Sequence, residues 1–190
     1  MTQLIVVSAP SGAGKTTLCN RLLSDFPQLT LSISSTTRAP RGQEQDGREY
    51  FFLAKDDFEE RIRSDRFAEW ALVHGNYYGT SKEVIESAFA EGRSVLFDID
   101  VQGAAILRKT YGKDCFLVFI SPPSVEALEA RLRKRATDNE ETIQRRLKNA
   151  RAEMARTGEF DLVIINDDLE RAYLELKSAV SQRLPGSNGC

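Results

Sequence analysis

The order of apolar runs along this chain predicts an α/β fold, a three-layer parallel sheet with helices on both faces. Strand-length apolar runs recur at Leu4–Val7, Val95–Phe97, Phe116–Ile120 and Leu162–Ile165, as expected for strands buried on both faces. A stretch with apolar residues at helical spacing follows each of them, the signature of parallel strands joined by crossover helices. Only the segment from about 35 to 80 breaks this rhythm, with shorter strands that alternate apolar and polar residues. It reads as an inserted small antiparallel lobe within a core of 1–34 and 81–184, and the charged segment at about 133–146 reads as a helical lid.

Leu4–Ser8 is a buried strand, and Lys15 to about Ser24 a helix with Leu18, Leu22 and Leu23 on one face. Leu29–Ser34 alternates as a strand, Ser35–Gly42 is a basic turn-rich segment, and Glu49–Leu53 is a further strand. A short helix runs from Asp56 or Asp57 through Arg63, and Phe67–His74 is extended. Ser81–Glu91 is helical, with Ser81 as N-cap and Gly92 as the stop. Val95–Asp100 is a strand whose two acids, Asp98 and Asp100, point to one face because strand side chains alternate. Helices follow over Gln102–Tyr111, Val125 to about Arg135, Glu140–Arg156 and Leu169–Leu184, with a last strand at Leu162–Ile165. The tail, Pro185–Cys190, is predicted to be disordered.

A chain of 190 residues with 41% hydrophobic and 28% charged residues suits one ordinary globular domain. No apolar run approaches a membrane span, and the N-terminus enters a core strand at once, leaving no room for a signal peptide. The expected location is cytoplasmic. A net charge of −2 argues against a nucleic-acid partner. Cys19, Cys115 and Cys190 are widely spaced thiols suited to a reducing compartment, and the lone His74 excludes a His-rich metal site.

Between the first strand and the first helix lies Ala9-Pro10-Ser11-Gly12-Ala13-Gly14-Lys15-Thr16-Thr17. Glycines let backbone N–H groups converge on phosphate oxygens, and the helix opening at Lys15 points its positive end at the same place. This is a phosphate-binding P-loop for a polyphosphate nucleotide, with Lys15 reaching the β/γ-phosphates and the Thr16 hydroxyl a ligand for Mg²⁺. Ala9 stands where the strict pattern has its first glycine, which is tolerable if φ there is negative.

A second anion site is suggested by Arg38 and Arg41 around Pro40, which can converge as two guanidinium forks on one phosphate. Tyr50 and Asn76-Tyr77-Tyr78-Gly79-Thr80 offer hydroxyls and a turn-forming glycine nearby. Glu69 has the chemistry to accept two adjacent donors, matching the N1–H and N2–H₂ edge of guanine and mismatching adenine; Ser34 or Thr80 could donate to O6. It is equally readable as an outward-facing strand residue.

Over almost its whole length the chain resembles the guanylate kinase family. The resemblance is carried by Ser8–Thr17, Ser34–Arg41, Gly47–Tyr50, Glu69, Gly75–Thr80, Asp98–Gly103, Pro122–Ser124 and Ile165–Asp168. It implies phosphoryl transfer from ATP to GMP, and to dGMP, with Mg²⁺. By resemblance, Ser34, Glu69, Thr80 and Asp100 contact guanine or support its contacts, while Arg38, Arg41, Tyr50 and Tyr78 hold the GMP phosphate. Arg135 and Arg146 match lid arginines and join Lys15 and Arg41 as catalytic residues; Asn166 matches the adenine-side residue. Either Asp98 or Asp100 could serve Mg²⁺ through water, and which of Arg131, Arg133, Lys134 and Arg135 turns inward stays open, as does the oligomeric state. Two alternatives are a catalytically inactive protein-binding module of the same fold and a signalling GTPase, although Asn166-Asp167-Asp168 lacks the lysine of the N-K-x-D guanine motif.

Overall fold

The computed structural model describes residues 2–73, 75–134 and 138–184. In chain order its strands are β1 (Leu4–Ser8), β2 (Leu29–Leu31), β3 (Ser35–Thr36), β4 (Phe51–Phe52), β5 (Phe67–Val73), β6 (Asn76–Ser81), β7 (Ser94–Asp98), β8 (Cys115–Ser121) and β9 (Leu162–Ile165). Its α-helices are α1 (Lys15–Asp25), α2 (Lys55–Arg63), α3 (Lys82–Ala90), α4 (Val101–Tyr111), α5 (Val125–Lys134), α6 (Glu140–Met154) and α7 (Leu169–Ser181).

Five strands form a parallel sheet in the order β2-β7-β1-β8-β9. The apolar run of β1 is uninterrupted because both of its faces are covered. Ile5 and Val7 pack with Leu18 and Leu22 of α1 and Tyr173 and Leu176 of α7. Leu4 and Val6 turn the other way, to Ile85 of α3 and Ala104 and Leu107 of α4. Each such side chain contributes roughly 1.5–3 kcal/mol relative to exposure. Helices α5 and α6 pair around Leu128, Leu132, Ile143 and Leu147. Since all five strands run the same way, their carboxyl ends open along one edge, where ligands of such sheets bind.

The second sheet has the order β4-β3-β6-β5. It is mixed rather than purely antiparallel, because β3 and β4 run parallel while β3–β6 and β5–β6 run antiparallel. The strand expected over 29–34 is two strands in two sheets. After β2, Ser32 N–H donates to Leu96 O at 2.8 Å, and the chain then crosses over so that Ser35 pairs with Gly79. The strand expected over 49–53 is ordered only at Phe51–Phe52, and Asn76–Thr80 is strand rather than turn. The strand expected over 95–100 ends at Asp98, because Asp100 caps α4, accepting from Gln102 N at 3.1 Å and Gly103 N at 2.9 Å. Asp98 and Asp100 therefore do not share a strand face. His74, Arg135 and the tail 185–190 lie outside the described residues.

Candidate active site

The loop Ala9–Lys15 joins β1 to α1 at the carboxyl edge of the parallel sheet. Gly12 and Gly14 have φ values of 97° and 96°, a region closed to most side chains, whereas Ala9 does not have a positive φ. Ala13 N–H donates to Pro10 O at 3.0 Å, closing the turn. Helices α3, α4, α6 and α7 each begin with a side-chain cap, from Ser81, Asp100, Asn139 and Asp168. By contrast, α1 begins at Gly14 with no side-chain cap and no acid in its first turn. Its first N–H groups and the positive end of its dipole are thus left for an external anion. Thr16 and Thr17 are exposed there. Thr16 offers a lone hydroxyl at the helix start, and among the described residues no cluster of three acidic, His or Cys ligands exists. That donor set fits a hard cation held chiefly by phosphate oxygens and water.

Lys15 reaches across the sheet edge from β1 to β7. Its ammonium is ion-paired with Asp98 and lies 3.3 Å from Ile99 O, which also accepts from Ser8 Oγ at 2.9 Å. Asp98 therefore acts as the lysine's counter-ion, and Asp100 as a helix cap.

In the lobe, Arg38 is only 9% exposed. Its guanidinium donates to both oxygens of Glu44, at 3.0 and 2.9 Å, and to Ala39 O at 2.7 Å, and lies 5.4 Å from the Tyr50 ring centroid. Glu44 also accepts from Arg41 N–H at 2.7 Å, and that backbone bond, more than Arg38, holds its carboxyl below the usual range. The Arg41 side chain is exposed. Tyr50 and Tyr78 meet edge to face with centroids 6.0 Å apart.

Alternation along β6 separates its two tyrosines: Tyr77 stacks on Phe58 in the lobe's own core, and Tyr78 faces the cleft, with Thr80 on the same strand face but fully buried beneath it. Opposite, Glu69 is 4% exposed, and a bulge between Phe67 and Glu69 sets its register against Thr80. Burial pushes its carboxyl up to about 7, and the nearby Asp100 adds to this, while hydrogen bonds from the Thr80 hydroxyl and backbone oppose it. The Thr80 hydroxyl accepts from Ser32 Oγ at 3.3 Å and lies 3.3 Å from Ser34 Oγ. A Cβ on Gly103 would sit 2.9 Å from Glu69 Oε2, so the first turn of α4 can approach the carboxylate only as glycine.

Two cavities result. One of about 860 Å³ follows the P-loop and includes Glu44 and Glu153; another of about 280 Å³ holds Glu69, Tyr78 and Asp100. They share Lys15, Ser34, Tyr50 and Asp98, so two phosphate-bearing ligands would meet at the lysine.

Of the basic residues in the last turns of α5, Arg131 turns inward and donates to Asn166 O at 2.7 Å, whereas Arg133 is exposed and paired with Glu129 and Glu140. Arg146 donates to Ser11 Oγ at 3.1 Å and pairs with Asp138. Asn166 is 4% exposed and donates its amide to Ala13 O at 2.7 Å. Glu44 and Glu153 are site residues that sequence reasoning missed. Glu44 lies three residues after Arg41, which is a legible spacing; nothing in the sequence marks Glu153, whose carboxyl burial pushes up to about 7.

The guanylate kinase family profile matches residues 1–183. A guanylate kinase from Caulobacter vibrioides is 51% identical over 173 residues, covering 91% of this chain and 81% of that protein. One from Oleidesulfovibrio alaskensis is 54% identical over 177 residues, covering 93% and 85%. The crystal structure of guanylate kinase from Anaplasma phagocytophilum superposes with a TM-score of 0.79 at 29% identity, covering 97% of this chain and 87% of that one. With a family profile spanning the fold and relatives at about half identity, the chain belongs to the guanylate kinase family.

Proposed function

We propose that this protein transfers the γ-phosphoryl group of ATP to GMP, giving ADP and GDP. The observation that carries this reading is the junction of two cavities at Lys15, one lined by the phosphate loop and the other by Glu69 and the paired tyrosines. ATP phosphates lie on the loop's N–H groups with Lys15 on the β/γ oxygens. The GMP phosphate lies between Arg38, Arg41, Tyr50 and Tyr78. Glu69 accepts from guanine N1–H and N2–H₂, and the Ser34–Thr80 hydroxyl pair serves O6.

The nucleophile is an already ionised phosphate oxygen, so the step asks for alignment and charge stabilisation rather than a base. Lys15 exchanges Asp98 for phosphate oxygens, and Arg146, now on Ser11, is one hydrogen bond from the loop and supplies positive charge at the transferring group. Arg135 belongs to the same set by family resemblance. Thr16, with Asp98 acting through water, would hold Mg²⁺, which would supply further charge neutralisation. The inserted lobe (35–80) is the acceptor-binding unit and 133–146 the lid, which together exclude water. Among the described residues no helix is long and apolar enough to cross a membrane. A cytoplasmic setting suits the buried free thiols Cys19 and Cys115, each pushed up to about 12 by burial and so poorly reactive. An inactive binding module would leave Lys15, Arg38 and the uncapped α1 without a task.

The test is ADP release by the purified full chain with ATP and each of GMP, dGMP, AMP and dTMP. GMP and dGMP should be strongly preferred. Equal turnover of AMP or dTMP would remove the role given to Glu69, and equal ADP release with no acceptor would make the protein a hydrolase.

A further inference from the structure

Asn166 has no solvent-facing task. It follows β9, its backbone N–H donates to Ser121 O at 2.8 Å, its carbonyl accepts from Arg131 at 2.7 Å, and its side chain is buried. Its amide reaches a single atom in the P-loop, the carbonyl of Ala13, at 2.7 Å. Ala13 sits between the two positive-φ glycines, where the backbone has the most freedom to turn over. In a trans peptide the C=O and the following N–H point in opposite directions. Pinning the Ala13 carbonyl toward Asn166 therefore aims the Gly14 N–H the other way, toward the cleft. The fit is close enough that a Cβ on Gly14 would lie 2.4 Å from Asn166 Nδ2, a second reason for glycine beyond its φ.

We infer that Asn166 is a positioning residue for the phosphate loop, acting on the triphosphate through the Ala13–Gly14 peptide rather than reading the adenine base. The three hydrogen bonds that fix Asn166 come from β8, α5 and the loop itself, so the orientation of one loop peptide is tied to the sheet edge and to the helix leading into the lid. A buried carbonyl stripped of its donor is free to rotate, and the phosphate then meets a mixed population of loop conformers.

This inference rests on the proposed use of ATP. Its test compares the full-length wild type with Asn166→Asp, nearly isosteric but unable to donate, and Asn166→Ala. For each, kcat/KM is measured with ATP and with GTP as donor at saturating GMP, together with inhibition by inorganic tripolyphosphate, which has no base. Both variants should lose about tenfold in kcat/KM for both donors, keep the ATP:GTP ratio, and bind tripolyphosphate about tenfold more weakly, with KM for GMP unchanged. A loss confined to ATP, with tripolyphosphate inhibition unmoved, would show that Asn166 reads the base and would overturn the inference. Unchanged kinetics with a lowered Tm would reduce Asn166 to a structural residue, and would overturn it as well. If Asn166→Ala does not fold, Asn166→Asp alone decides. An inactive wild type would instead sink the proposed function, and tripolyphosphate binding measured by calorimetry would still report on the loop.

Discussion

The two halves of the proposed site, one for the donor and one for the acceptor, are built from different materials. The donor half uses backbone: a helix start left uncapped, two glycines with positive φ, and one lysine held by Asp98. The acceptor half uses side chains, each with a partner of its own: Arg38 on Glu44, Tyr50 on Tyr78, Glu69 on Thr80. Backbone recognition suits a ligand group common to all nucleotides. Side-chain recognition suits a particular base, and it carries the cost of desolvating a carboxylate. The difference therefore predicts that damage to the loop abolishes turnover without changing which monophosphate binds, while damage to the lobe changes the monophosphate first.

Lys15→Met gives the largest effect, a fall in kcat of about 10³-fold or more, with GMP binding by calorimetry retained. Next is Glu69→Gln, which lowers kcat/KM for GMP by about 100-fold and narrows the gap to AMP. The same variant sharpens the comparison through stability. Glu69 has its carboxyl raised to about 7 by burial, so the folded state binds a proton that the unfolded state releases near its ordinary value. Its favourable contribution is present at low pH and is lost as pH rises through about 7. Glu69→Gln should accordingly melt a few degrees higher than wild type at pH 8 and show no such gain at pH 4. For binding the sign is reversed, since the anion is the form that accepts two donors. KM for GMP should rise as pH falls below about 7, and a profile identical to that of Glu69→Gln would remove the carboxylate from recognition.

Glu44→Gln loosens the fork of Arg38 and should raise KM for GMP about tenfold with little change in KM for ATP, read from paired saturation curves. The smallest effect is that of Ala9→Gly. Ala9 has no positive φ to relieve and is 9% exposed in the core. Restoring the glycine should leave kcat/KM within about twofold and lower stability by about 1 kcal/mol, checked by denaturant melts. A large gain in activity would mean that the methyl does obstruct the phosphate.

The same contrast explains what the sequence made legible. The loop could be read directly, because strand, glycines, lysine and helix are consecutive; the convergence expected of Arg38 and Arg41 around Pro40 is not seen, since the Arg38 guanidinium is held by Glu44 and the Arg41 side chain is exposed. Glu69 could not be distinguished from a solvent-facing residue, since its burial depends on a bulge immediately before it, between Phe67 and Glu69, and on the missing side chain of Gly103, 34 positions away. Reading Asp98 and Asp100 as one strand face failed because the strand stops between them, where Asp100 meets the N–H groups of Gln102 and Gly103. A capping aspartate before a helix is a local signal that outweighs alternation here. The split of 29–34 across two sheets left no local trace, as it is set by partners at Leu96 and Gly79.

Position 70 carries a spectroscopic consequence. The chain has a single tryptophan. Trp70 is 40% exposed, edge-on to Tyr77 with centroids 5.9 Å apart, and follows Glu69 on the opposite face of β5. All indole emission from this protein thus originates in the lobe proposed to bind the acceptor, directly behind the carboxylate proposed to read guanine. Filling that pocket becomes observable as a change in native fluorescence, with the donor half optically silent and no dye required.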